Sequence, residues 1–206
     1  MIRNNIQLRD ICCNETTKVV LDVCSEPTFL QQACSRFPML MAKVVRLRLM
    51  PVKKLLDDPH LAKMKVIYLI RDPRGTLSSR AKSWGCTNRD CIDAGQLCRD
   101  LSDDINAFDI LSKQYPDRLL SVKYETLARI PLSAYKQIFT FAELSFPPLI
   151  ANTILNHTSV NQGDAFSTFR RSEDVDRWKT TLNKTRIAQI QTACRTLLNR
   201  LGYPIF

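Results

Sequence analysis

The run Val66-Ile67-Tyr68-Leu69-Ile70-Arg71-Asp72-Pro73-Arg74-Gly75-Thr76-Leu77-Ser78-Ser79-Arg80 limits what this chain can fold into more than any other stretch. Its first five residues are apolar and mostly β-branched or aromatic, which predicts a buried parallel strand. The run breaks at Asp72-Pro73. An Asp caps a helix because its carboxylate accepts from the first free N–H groups, and a Pro at the first helical position gives up only an N–H that has no partner. A helix is therefore predicted from Pro73 onward. Strand followed by capped helix is half of a βα unit, and open α/β sheets gather ligands where their strands end. Arg71 leaves the carboxyl end of the strand and Ser79 lies two turns into the helix. An Arg and a Ser so placed hold one phosphate, by a forked charged contact and a hydroxyl hydrogen bond.

The rest of the chain supplies matching elements. Residues 18–23 read as a short strand or buried segment. Residues 40–49 predict a strand, because Val45, Leu47 and Leu49 alternate with Arg46 and Arg48. A short helix is expected over 50–60. Leu97, Leu101, Ile105, Phe108 and Leu111 recur at helical spacing, with Asp100, Asp103 and Asp104 mostly on the other side, where they read as a solvated face or else as acceptor contacts or a base. Residues 119–124 read as a second buried strand. Helices follow over 131–144 and 147–156, then a polar surface loop over 158–177, then a last helix over 184–200.

Length and composition bound the function. The 206 residues suit one domain of moderate size. The net charge of +10 favours an anionic partner: nucleic acid, an acidic glycan or a phosphorylated cofactor. The basic residues are dispersed rather than set in a stripe with stacking aromatics, which argues against nucleic acid. Eight cysteines without paired CxxC knuckles argue against zinc and for an oxidising compartment. The sequons at Asn14, Asn156 and Asn183 agree with a secretory lumen. Cys24 and Cys34 either form a bridge or stay as two buried thiols. Residues 1–10 are polar, without the apolar core of a signal peptide, and no run is long enough to span a membrane.

The segment from Leu69 to Gly75, continued by Ser79-Arg80, resembles the 3′-phosphate-binding motif of Golgi carbohydrate sulfotransferases, above all those that sulfate the 6-hydroxyl of galactose, N-acetylgalactosamine or N-acetylglucosamine. The resemblance implies that Arg71 and Ser79 bind the 3′-phosphate of PAPS, 3′-phosphoadenosine 5′-phosphosulfate, with Arg74 and Arg80 beside them. Lys123-Tyr124-Glu125-Thr126-Leu127 resembles the family's Arg/Lys-Tyr-Glu-Asp-Leu signature. There the Glu supports the local fold, and Tyr124 either lines the cofactor pocket or packs in the core. The family carries a similar basic strand beside its active site. Lys43, Arg46 and Arg48 thus either stabilise sulfate or an acidic glycan, or form a solvated basic face. Arg170 and Arg171 either close over cofactor or glycan or remain exposed loop arginines. Arg177-Trp178-Lys179-Thr180-Thr181-Leu182 and the ending Leu201-Gly202-Tyr203 are similar to late family segments. A disulfide involving Cys91 and Cys98 is also implied.

The implied architecture is a three-layer α/β fold with a parallel sheet, the nucleotide-kinase-like sulfotransferase fold, with residues 1–206 forming a single partial domain. The implied activity is transfer of sulfate from PAPS to a hydroxyl, at C6 of a hexose or hexosamine in a glycan or glycosaminoglycan, without a metal. The implied setting is the Golgi lumen, with a type II membrane anchor in the longer form and a possible homodimer. No glycine follows an N-terminal strand, so the family's Arg/Ser/Gly loop for the 5′-phosphosulfate is not found and the chain is expected to be N-terminally incomplete. That makes transfer by residues 1–206 alone doubtful. The alternative is a truncated, inactive paralogue or isoform that binds glycans or heterodimerises. No catalytic base can be assigned; His60 and His157 both read as loop or helix-end residues.

Overall fold

The computed structural model describes residues 26–45, 47–82, 86, 89–159 and 172–206. The chain divides into two compact units, Met1–Arg46 and Leu47–Phe206. The first unit holds one described helix, α1 (Pro27–Ser35), with Pro27 in its first turn. Cys34 is a free thiol, so the bridge to Cys24 is not made. Residues 18–23, the first strand candidate, lie outside the described residues.

The second unit opens with a 3-10 turn, Met50–Val52, that runs into α2 (Lys53–Leu56), and a second 3-10 turn at Pro59–Leu61. Strand β1 (Val66–Ile70) leads to α3 (Pro73–Arg80) and the long α4 (Ala94–Gln114). Strand β2 (Leu119–Lys123) runs straight into α5 (Tyr124–Arg129). Then come α6 (Pro131–Phe141), α7 (Pro148–Ser159), α8 (Trp178–Thr181), α9 (Lys184–Ala193) and α10 (Arg195–Leu201). The expected last helix is thus two, broken at Cys194.

The two strands pair in parallel, from Val66 opposite Leu119 to Ile70 opposite Lys123. The architecture is therefore α/β with a parallel sheet, as the sequence implied. Side chains alternate across a strand, so Val66, Tyr68 and Ile70 share one face, and this face meets the helices. Tyr68 stacks on Phe108 of α4 at 6.3 Å. Ile70, Leu77, Leu97, Ile105, Ile190, Leu197, Leu198 and the pair Cys98–Cys194 form one core; Leu49, Val52, Leu56, Ala107 and Leu111 form another. The opposite sheet face is more open: Ile67 is 41% and Leu69 52% exposed. Strand β1 is accordingly half-buried, not buried on both faces as its composition predicts.

Three expectations are corrected. Residues 40–45 and 47–49 form no strand. Arg48 instead gives its Nε to Asp104 at 3.0 Å and pairs with Asp100, while the Leu49 N–H donates to Asp104 at 2.8 Å. Arg48 is thereby bound to α4 and is not offered to an anion, and Asp100 and Asp104 are its partners, not merely a solvated helix face. The cysteines pair as Cys86–Cys91 and Cys98–Cys194, so Cys91 and Cys98 are each oxidised but not to one another. The second bridge ties α4 to the junction of α9 and α10.

Candidate donor-nucleotide site

The site is built where β1 stops. Asp72 caps α3 by accepting from the Arg74 N–H at 2.8 Å, and Pro73 takes the first helical position, as the sequence predicts. The Asp72 N–H donates to Glu125 Oε1 at 2.9 Å. Glu125 stands at the corresponding end of β2, so one buried carboxylate joins the two strand-end turns. Its other oxygen accepts from the Tyr203 hydroxyl at 2.7 Å. Burial, reinforced by the bond to Glu125, raises the Tyr203 pKa and keeps this donor protonated.

The two arginines of the motif have opposite environments. Arg71 is half-buried, and its guanidinium lies over the Tyr124 ring at 4.4 Å. Among the described residues no carboxylate pairs with it. The ring offers the cation a face but leaves its N–H groups unsaturated. A Cβ built on Gly75 would stand 3.4 Å from Arg71 Nε and 3.4 Å from Trp178 Cδ1, so the guanidinium lies against this glycine. Gly75 and Ser79 are four residues apart and share a helix face. Arg71 is therefore folded along the face on which Ser79 stands. Ser79 is exposed, whereas its neighbour Ser78 is buried.

Arg74 is fully buried. Its Nε and Nη2 hold Asp72 at 3.0 and 2.7 Å, and its Nη1 holds Gln191 Oε1 at 2.9 Å and the Pro204 carbonyl at 2.7 Å. Trp178 covers it at 4.3 Å and Phe206 at 5.7 Å. Fully buried, with its Nε, Nη1 and Nη2 all donating to protein acceptors and two rings against it, Arg74 is not offered to a nucleotide. Its expected place beside the cofactor is corrected to a structural one. Arg80 is exposed, with one long contact of 3.4 Å to the Cys91 carbonyl. Lys43 belongs to the first unit and is exposed. Arg46, Arg170 and Arg171 lie outside the described residues.

The sequence matches the family model described as the sulfotransferase domain over residues 7–202. The chain belongs to the sulfotransferase domain family. Among the relatives of this sulfotransferase-family chain is carbohydrate sulfotransferase 1 of Danio rerio, 31% identical in an alignment that covers 85% of this chain and 47% of that protein. Carbohydrate sulfotransferase 1 of Homo sapiens is 28% identical, covering 86% and 48%. Carbohydrate sulfotransferase 5 of Mus musculus is 29% identical, covering 98% and 55%. The chain thus spans about half the length of the curated relatives it matches. A sulfotransferase domain from the curacin biosynthetic pathway superposes with a TM-score of 0.57 at 17% identity, covering all of this chain and 77% of that one, and so shares the fold.

Several residues of this site carried little signal in the sequence. Gly75 is needed by a close approach that no local pattern announces. Gln191, Pro204 and Phe206 reach Arg74 from the far end of the chain. No cluster that could hold a metal ion occurs among the described residues. His60 sits in the 3-10 turn ahead of β1, near the amino end of the strand, the opposite end from Arg71.

Proposed function

We propose that this chain carries the 3′-phosphate half of a PAPS site and that its sulfotransferase domain serves transfer of sulfate to a carbohydrate hydroxyl, at C6 of a hexose or hexosamine. The observation that carries the reading is Arg71, a cation without a carboxylate among the described residues, laid against Gly75 on the helix face that also bears an exposed Ser79. In this reading Arg71 and Ser79 hold the 3′-phosphate, the amino end of α3 adds its dipole, Tyr124 supports the guanidinium, and Arg80 lies at the rim. PAPS supplies the sulfuryl group when bound. The names of the relatives support a glycan acceptor. The disulfides Cys86–Cys91 and Cys98–Cys194 support an oxidising setting such as the Golgi lumen.

Calorimetric titration with adenosine 3′,5′-bisphosphate and adenosine 5′-monophosphate tests this reading. Arg71→Ala should weaken the bisphosphate by the worth of a charge-assisted hydrogen bond, about 1.5–3 kcal/mol. Ser79→Ala should cost less, about 0.5–1.5 kcal/mol for a neutral donor. Neither should alter the monophosphate. Equal losses for both nucleotides would mean that these residues keep the fold and do not read the 3′-phosphate.

A further inference from the structure

The residues that follow α10 run back over the carboxyl ends of both strands. Gly202 makes this possible. Its φ of 68° ends the helix in a left-handed turn, with its N–H on the Asn199 carbonyl and the Tyr203 N–H on that of Leu198. The segment then grips the turn after β2. The Tyr203 hydroxyl holds Glu125, and just before it the Leu201 carbonyl accepts from Lys123 Nζ at 2.5 Å. It grips the turn after β1 through Arg74, which donates to the Pro204 carbonyl and lies beneath the Phe206 ring. Gln191 fastens the far end: its amide accepts from the Phe206 N–H at 3.1 Å and donates to the Phe206 carbonyl at 3.0 Å.

The gripped residues are neighbours of Arg71 and Tyr124. Glu125 follows Tyr124, and Asp72, which Arg74 clamps, follows Arg71. Arg71 itself has no hydrogen bond among the described residues, so its position depends on the Asp72 backbone and on the ring beneath it. A long, rotamer-rich side chain binds an anion well only when its freedom is already restricted.

We propose that the segment Gly202–Phe206 is a strap that fixes Arg71 over Tyr124, and that Tyr203 and Phe206 are positioning residues for the 3′-phosphate. This inference rests on the nucleotide reading above. Neither residue touches the ligand; each acts through a charged neighbour of the site. Tyr203 acts through Glu125, and Phe206 acts through Arg74.

The test uses the full 206-residue chain, titrated with adenosine 3′,5′-bisphosphate and adenosine 5′-monophosphate well below the melting temperature of each variant. Tyr203→Phe removes one hydroxyl at constant shape and should weaken the bisphosphate about fivefold, as for one lost hydrogen bond. Phe206→Ala removes the ring of a residue that is 73% exposed and should weaken it less, with little change in melting temperature. Phe206→Trp should restore it. The monophosphate should bind each variant as it binds the parent. If Tyr203→Phe does not fold, Phe206→Ala and its rescue decide. Equal losses for both nucleotides, or unchanged bisphosphate affinity in a destabilised variant, would reduce the segment to fold support and overturn the strap. A parent chain that shows no preference for the bisphosphate would overturn the phosphate site and the strap with it. A parent preference that Arg71→Ala abolishes and both strap variants retain would overturn the strap alone.

Discussion

The two faces of α3 differ more than their shared eight residues suggest. One face carries Gly75 and exposed Ser79, with Arg71, which no described carboxylate pairs, laid along it. The other carries Arg74, Leu77 and Ser78, all buried, and the ion pair of Arg74 with Asp72. One short helix thus separates a cation with no carboxylate partner among the described residues from a cation consumed in holding the fold. The difference lies in supply. Arg74 has Asp72 beside it and, from distant parts of the chain, Gln191 and the Pro204 carbonyl as acceptors, whereas among the described residues Arg71 meets a ring and a glycine.

Substitution of each arginine should expose this contrast most sharply. Arg74→Leu leaves the Asp72 carboxylate, 5% exposed, without its cation, and breaking a buried pair in this way costs about 3–5 kcal/mol. Urea unfolding should show that loss. Arg71→Ala should shift stability by less than about 0.5 kcal/mol, as substitutions away from buried networks do. Similar losses from the two would erase the distinction between the faces.

The bridge behind the buried face gives a second, comparable effect. Cys98–Cys194 closes a separation of 96 residues and holds the end of α9, the helix of Gln191, against α4. Its replacement by two alanines should cost about 2–5 kcal/mol. Thermal melting should register this, and the loss for Cys86–Cys91, separated by only 5 residues, should be smaller. A larger effect at Cys86–Cys91 would place the stabilising load on the exposed side.

A smaller effect is expected at alkaline pH. Burial raises the pKa of Tyr68, and burial together with Glu125 raises that of Tyr203. The folded state therefore retains protons that the unfolded chain releases near about pH 10. The stability these groups contribute is present below that value and is lost as pH rises above it. Melting temperatures between pH 7 and 11 should fall at the upper end, and Tyr203→Phe should reduce the fall. A flat profile would remove the Tyr203 hydroxyl from the buried network.

The sequence made the exposed face of α3 legible and left the buried one obscure. β1, the cap at Asp72, Pro73 at the helix start, and the placement of Arg71 at the strand end and Ser79 two turns into the helix all follow from local pattern, since each depends on neighbours a few residues away. β2 and α4 were equally plain, from their apolar spacing. Arg74 could not be read in this way. Its acceptors Gln191 and Pro204 lie 117 and 130 residues onward, and an Arg in the first turn of a helix reads as solvated until they are in place. The alternation over 40–49 misled for a related reason: alternation licenses a strand only when a neighbouring strand completes the ladder, and Asp104 claims the Leu49 N–H instead. The cysteine pairing depended on where α9 ends against α4, which spacing does not encode.

The parallel register has a consequence for when the site exists at all. The contact that closes the two strand-end turns, Asp72 to Glu125, spans 53 residues, and those of Arg74 to Gln191 and Pro204 span more than twice as many. Helices α4 and α9 can begin to form from local contacts, but loop closure must be paid before such distant groups meet. Arg71 therefore acquires its platform only once β1 and β2 have paired. A chain that holds only its local helices would have Arg71 without the Tyr124 ring beneath it.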